Sequence, residues 1–322
     1  MTDEEIWNHF LEVLTSDVPS AAPHLEAGPH LAHYTSLQAL ELILRSNEIW
    51  LSNPLLMNDV EEERFGIIEG SSALKRNSAI REALGSEERL AEFVSSIDDA
   101  IDRFDQQHLL DTYIFCLSRH ETDDMDGLLS MWRGYGGRGK GAAIVFDTGK
   151  LASVQESPLV VAPVNYDTRE RRLAWFGELG DRYAKTLTDA APENNQIHLT
   201  AAALFERLKL FALFTKHRGF EEEREWRVVY FRDRDGDDKL KDMFHYVNGP
   251  RGIEPKLRLK VEPMAGVMPE NVSFEQLIDR IILGPSLSTP LARRSVERML
   301  DVIKRPALKD RLVASSIPFR SQ

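Results

Sequence analysis

The sequence predicts an α+β fold in which mixed and antiparallel strands are interrupted by helical insertions. Short β-branched and aromatic runs recur from residues 31–35 to 312–314, with helical periodicities between them. They keep no regular βαβ beat, and no repeat period is visible. Stretches near 60–105 and 167–216 read as helical insertions into one domain spanning 30–322, preceded by an N-terminal helix and linker over 1–29.

The elements follow in order. Residues 2–16 put Ile6, Trp7, Phe10 and Leu14 on one helical face, and a Pro/Ala linker covers 18–29. Residues 31–35 form a strand. Thr35-x-x-Gln38 has the form of a capping box, and Leu37, Leu40, Ile43 and Leu44 share a helical face over 36–45. A second strand, 48–52, stops before Pro54. Helices are expected over 59–84 and 86–104, a strand at 113–118 and a helix at 126–135. Strands at 141–146 and 159–164 lead to helices at 169–187 and 196–214. A strand at 225–231, a charged loop at 232–241, strands at 257–261, 280–283 and 312–314, and a helix at 291–303 complete the chain.

Composition narrows the function classes. With 322 residues, 42% of them hydrophobic, the chain can bury one large core or two modest ones. No run approaches the ~18 apolar residues of a membrane span. The acidic start, Met1 to Glu5, lacks the basic-then-apolar order of a signal peptide. Cys116 is the one cysteine, which excludes an internal disulfide and a Cys-rich zinc site. These features point to a soluble cytoplasmic protein without membrane contact. A net charge of −12 disfavours a generic grip on nucleic acid, while leaving room for a local basic groove.

Several motif matches fail on context. Gly134-x-Gly136-x-x-Gly139 follows a helix and precedes a strand, the reverse of what a dinucleotide-binding turn requires. Asp233-x-Asp235-x-Asp237 has Asp238 and Phe244 where a calcium loop needs Gly and Glu. Asp123, Asp124 and Asp126 read as a capped helix start, and no His pair has helical metal-ligand spacing, so no metal is inferred.

Three stretches carry candidate chemistry. The first runs from His33-Tyr34-Thr35 through Trp50-Leu51-Ser52 to Asn58-Asp59 and Glu62, with His33 at one strand end and Trp50 and Ser52 on the next strand. In the second, Glu221 to Tyr230, a period of two puts Glu223, Glu225 and Arg227 on one face and Trp226 and Val228 on the other. The competing explanation is a salt-bridged edge strand. The third joins Ser118, at a strand end, to Trp132 and Tyr135, whose plain role is core packing.

Taken together, HYTS…IWLSNPLLMNDVEE…FCLS…MWRGYGGRGKGAAIVF…FEEEREWRVV…IILGP resembles a bacterial family known only as a domain of unknown function, from about His33 to Pro285. That family is distantly similar to the ADP-ribosyltransferases. The resemblance implies an ADP-ribosyltransferase-like sheet, NAD as substrate, and modification of a protein or nucleic-acid acceptor by a toxin or phage-defence effector, with an antitoxin or regulator as partner. It implies His33 on the ribose, with Tyr34, Thr35, Trp50, Ser52, Ser118 and Arg227 around NAD, and Glu225 with Glu223 as the catalytic carboxylates. Cleaving the nicotinamide–ribose bond passes through an oxocarbenium-like ion, which a placed carboxylate stabilises. His33, Ser52, Ser118 and Glu225 are expected to converge on one cleft. The alternatives are a catalytically silent nucleotide- or RNA-binding module and an NAD glycohydrolase.

Overall fold

Alternating apolar and polar residues give the strands, and 3.6-residue apolar stripes give the helices. The computed structural model describes residues 1–18, 28–57, 60–108, 111–151, 154, 157–249 and 252–319. The strands are β1 (His30–Thr35), β2 (Glu48–Ser52), β3 (Thr112–His120), β4 (Ala142–Asp147), β5 (Leu159–Pro163), β6 (Asn165–Asp167), β7 (Thr215–His217), β8 (Glu225–Phe231), β9 (Phe244–Gly249), β10 (Gly252–Lys260), β11 (Ile278–Leu283) and β12 (Leu312–Ala314). The helices are α1 (Asp3–Thr15), α2 (Leu37–Ser46), α3 (Val60–Lys75), α4 (Ser78–Leu84), α5 (Glu87–Arg103), α6 (Leu129–Gly134), α7 (Arg169–Ala190), α8 (Ile197–Phe214), α9 (Phe274–Leu277) and α10 (Pro290–Val302). No helix among the described residues is long and apolar enough to cross a membrane.

The chain divides into two compact units. One comprises Ser20–Asn53, Thr112–Pro163 and Glu221–Gln322 and holds a ten-stranded sheet. Its path is β12-β11-β4-β1-β3-β2-β10-β9, with β8 also on β3 and β5 outside β8. The β11–β12 pair is parallel and the other pairs are antiparallel. The sheet forks at β3. β8 lies along it from Thr112 to Ser118, while the opposite edge is shared by β1 at Ala32↔Ser118 and β2 at Ser52↔Ile114. One face of this sheet is apolar, with Leu31, Phe115, Leu117, Trp226, Leu257 and Ile281 in one buried cluster. On the other face, Ala32, Tyr34, Ala143, Val145 and Ile282 pack under Trp132.

The second unit comprises Met1–Pro19, Pro54–Asp111 and Val164–Phe220. α8 is apolar almost all round and almost wholly buried, as expected of a helix at the centre of a bundle. α1 presents Ile6, Phe10 and Leu14 to the same core, so the N-terminal helix belongs here together with both helical insertions. Asp17 holds Arg207 and Arg182. Burial alone would raise its pKa, but these guanidinium contacts outweigh that and bring it to about 2. Gly66 marks the close approach of α3 to α8, where a Cβ would lie 2.7 Å from both Cα and Cβ of Ala212. Alanine gains about 1 kcal/mol in helix propensity over glycine. The overpacking should win, so Gly66→Ala is expected to lower stability by about 1–2 kcal/mol in urea denaturation.

Several element boundaries differ from those the sequence predicts. Ser36, not Thr35, caps α2, accepting the Ala39 N–H, and Thr35 ends β1. The helix expected over 59–84 breaks at Asn77, whose side chain caps α4. β9 forms where the sequence predicts no element. β10 begins five residues earlier than expected because Pro255 lies on the stretch paired to β9 before the β2 pairing starts at Lys256, so its missing N–H interrupts only one ladder. Asn58 and Asp59 lie outside the described residues, as does the side chain of Glu62.

Candidate functional site

Alternation along β8 places Glu225 and Arg227 on one side, and register sets them opposite Ser118 and Cys116 of β3. Arg227 grips Glu225 with two hydrogen bonds, Nε to Oε1 at 2.9 Å and Nη2 to Oε2 at 3.2 Å. The side chains are only 5% and 6% exposed, so this is a buried ion pair and not the edge-strand surface charge weighed against it. Glu223 does not continue that face. Arg224 has φ 45°, in the left-handed region, and Arg218–Glu223 is a 3₁₀ turn, so the period of two stops at Glu225. The turn leaves Glu223 half-buried at the strand end. There the Ser118 hydroxyl donates to its carbonyl at 2.7 Å, and the Tyr135 phenol donates to its carboxylate at 3.0 Å.

β2 supplies the neighbouring part of the same face. Ser52 is in register with Ile114 of β3 and Lys256 of β10, which puts its side chain on the side of Cys116, Ser118, Glu225 and Arg227. Lys256 Nζ donates to Ser52 Oγ at 3.0 Å and pairs with Glu254 at 3.3 Å. Trp50, 38% exposed, lies opposite Arg258, whose guanidinium sits 5.4 Å from its ring centroid. Glu48 accepts from both Arg258 and Trp50 Nε1; although burial raises its pKa, these contacts bring it below the usual carboxylate range. Sequence reasoning missed Lys256, Arg258, Glu48 and Glu254. The available signal was the charge alternation of Glu254-x-Lys256-x-Arg258.

His33 leaves β1 on the parity of Leu31, opposite to Ala32 and the Ser118–Glu225 row. Its ring lies against Phe115, with centroids 4.3 Å apart, and Nδ1 is 3.1 Å from the Cys116 carbonyl in the fork of β3. A carbonyl only accepts, so Nδ1 carries the proton. Burial lowers the pKa and keeps the ring neutral, leaving Nε2 as an acceptor. The convergence expected of His33 with Glu225 is therefore not realised, because the two side chains leave opposite faces of the sheet. Thr35 shares the parity of His33 and is buried. Ser52, Ser118 and Glu225 do share a face.

Residues 131–228 match the family described as Protein of unknown function (DUF2971). No curated protein and no solved structure matches. The DUF2971 segment contains both Tyr135 and Glu223, along with the Glu225–Arg227 pair.

Just before this segment, Tyr34 anchors a buried brace. Its hydroxyl accepts the Leu128 N–H at 2.7 Å, so it donates to His120 Nε2 at 2.8 Å. The His120 proton then sits on Nδ1, 3.5 Å from Asp124 Oδ2. Trp132 stands edge-on to Tyr34 and donates Nε1–H to the Asp126 carbonyl. The Tyr34 hydroxyl is thus committed to holding α6, whereas the resemblance implies a place beside NAD. Burial is the largest influence on His120 and brings its pKa down to about 4, with the Arg280, Arg224 and His30 charges adding to it and Asp124 opposing. The unfolded chain takes up this proton below pH ~6.5 while the folded chain resists it. Stability should therefore fall as pH drops from ~6.5 to ~4, by roughly 3 kcal/mol from this group. Urea denaturation across that range should show the loss, and His120→Gln should flatten it.

Proposed function

We propose that this protein is an ADP-ribosyltransferase-like enzyme that cleaves NAD at the nicotinamide–ribose bond and transfers ADP-ribose to a macromolecule. The observation that carries this reading is the Glu223 carboxylate, half-buried, held by the Tyr135 phenol, and one turn from Ser118 and the Glu225–Arg227 pair. In the reaction, the glycosidic C–N electron pair leaves with nicotinamide and C1′ becomes cationic. A nearby carboxylate stabilises that charge, and the incoming nucleophile gives up its proton. Glu223 is the better candidate for receiving that proton, since both Glu225 oxygens are engaged by Arg227. Trp50 offers a face for a base, and Lys256 and Arg258 would exchange their present carboxylates, Glu254 and Glu48, for the pyrophosphate. His33 is left out of the reacting group.

A binding-only reading is favoured by one observation, the enclosure of Glu225 by its arginine. Isothermal calorimetry with NAD, followed by nicotinamide release, separates the two. Nicotinamide release with ADP-ribose label entering a macromolecule supports the transferase, release without incorporation supports the glycohydrolase, and binding without release, in the presence of cell lysate as acceptor, supports a silent module.

A further inference from the structure

The chain carries a net charge of −12. Exposed Glu221 and Glu222 share the turn of Glu223, but the segment that reaches Glu223 through Tyr135 is basic. Arg224 follows Glu223 directly, and its carbonyl accepts the N–H of Arg119, whose side chain leaves β3 on the Leu31 face, opposite to Ser118 and Glu225. Tyr135 reaches the Glu223 carboxylate from the C-terminal end of α6, which carries Arg133 and runs on into a turn with Arg138 and Lys140. Phe319 ties this loop together, lying under the Arg133 guanidinium at 5.7 Å and against Gly139. All five cations are exposed. Arg224 pairs with Glu121 at 3.6 Å, but Arg119, Arg133, Arg138 and Lys140 have no carboxylate partner among the described residues. Asp123 is a further exposed acid in the loop beside Glu121. Tyr135 is 44% exposed and lies between Arg133 and Arg138 in sequence.

The backbone reinforces the point. Gly137, Arg138 and Gly139 are left-handed in succession, at φ 59°, 54° and 80°. Glycine suits all three positions, yet the middle one carries arginine, a strained choice that suggests use of its side chain. Unpaired cations around an exposed aromatic ring match the chemistry of a single-stranded nucleic acid, whose phosphates need charge and whose bases stack. An acidic peptide would use the charges but not the ring.

We infer that this basic segment binds single-stranded nucleic acid, and hence that nucleic acid is the acceptor class. The second part rests on the transferase reading, while the first does not. The test is fluorescence anisotropy of the intact protein with labelled oligouridylate and oligothymidylate in the absence of NAD, so failure of NAD use cannot affect it. At least one oligonucleotide should bind, with a log–log salt slope of about −2 to −3 for three or four phosphate contacts. R133E/R138E/K140E should weaken binding on the order of 10- to 100-fold. R293E/R294E/R298E on α10, with the same change in net charge, should alter it by less than about threefold. Arg138→Gly, which relaxes the turn and keeps the fold, should weaken it by about twofold to fivefold, as the loss of one phosphate contact predicts. No binding of either oligonucleotide at low salt would overturn the inference, as would equal effects of the two triple variants at matched melting temperature. Binding of polyglutamate as tight as that of the oligonucleotides would overturn it in favour of an acidic protein partner.

Discussion

Arg227→Met should lower stability by about 3–5 kcal/mol, among the largest effects of any single side-chain change in this chain. The guanidinium supplies two hydrogen bonds to Glu225 in a setting where both side chains are nearly inaccessible. Its removal leaves the carboxylate without its bidentate partner. Glu225→Gln should also destabilise, because it leaves the buried Arg227 guanidinium without its carboxylate. Replacing both residues, as Glu225→Leu with Arg227→Met, should recover much of the loss, because an apolar pair needs no desolvated charge. Urea denaturation of the three variants measures the cycle. Single-variant losses below about 1 kcal/mol would mean that the pair is energetically equivalent to a surface ion pair.

How far the sequence was legible depended on whether local pattern and tertiary context agreed. β8 was readable because Glu225-x-Arg227 and Trp226-x-Val228 alternate cleanly, and register then put Ser118 beside Glu225 as expected. Extending that alternation back to Glu223 failed on the positive φ of Arg224, a backbone choice that no side-chain period reveals. The mixed, largely antiparallel sheet was also legible, since strands and helices lack a βαβ beat. The fork at β3 was not. It depends on which strands pair across more than 60 residues of intervening chain, and it turned His33 from an expected neighbour of Glu225 into a cap on the Cys116 carbonyl. Tyr34 looked like a stacking face because aromatic residues beside a strand end serve either purpose. Its hydrogen bonds to His120 and Leu128 decide for the brace. Only the second half of β10 was legible, because Pro255 obscured its first half and with it the charge alternation of Glu254, Lys256 and Arg258.

The second large effect concerns chemistry. Glu223→Gln keeps the volume and can still accept from Tyr135, but it removes the negative charge next to the start of β8. Loss of one well-placed electrostatic contact of this kind lowers turnover by roughly 100- to 1000-fold. Stability should barely move, because Glu223 lies in a turn and is half-buried. Tyr135→Phe, which removes the donor but keeps the charge, should have a smaller effect, about 10-fold, and should not change the melting temperature by more than the loss of one partly exposed hydrogen bond allows. A variant pair in which turnover falls and stability holds would separate a working carboxylate from a structural one.

The most direct test is therefore nicotinamide release from NAD by the wild-type protein and by Glu223→Gln, with single-stranded nucleic acid and cell lysate supplied as acceptors and NAD binding checked by calorimetry. The expected result is NAD binding by both proteins, release by the wild type, and release at least 100-fold slower in Glu223→Gln. Binding of NAD with equal release by the two proteins would contradict the assignment of Glu223, and absence of NAD binding to the wild type would contradict the NAD-cleaving reading itself.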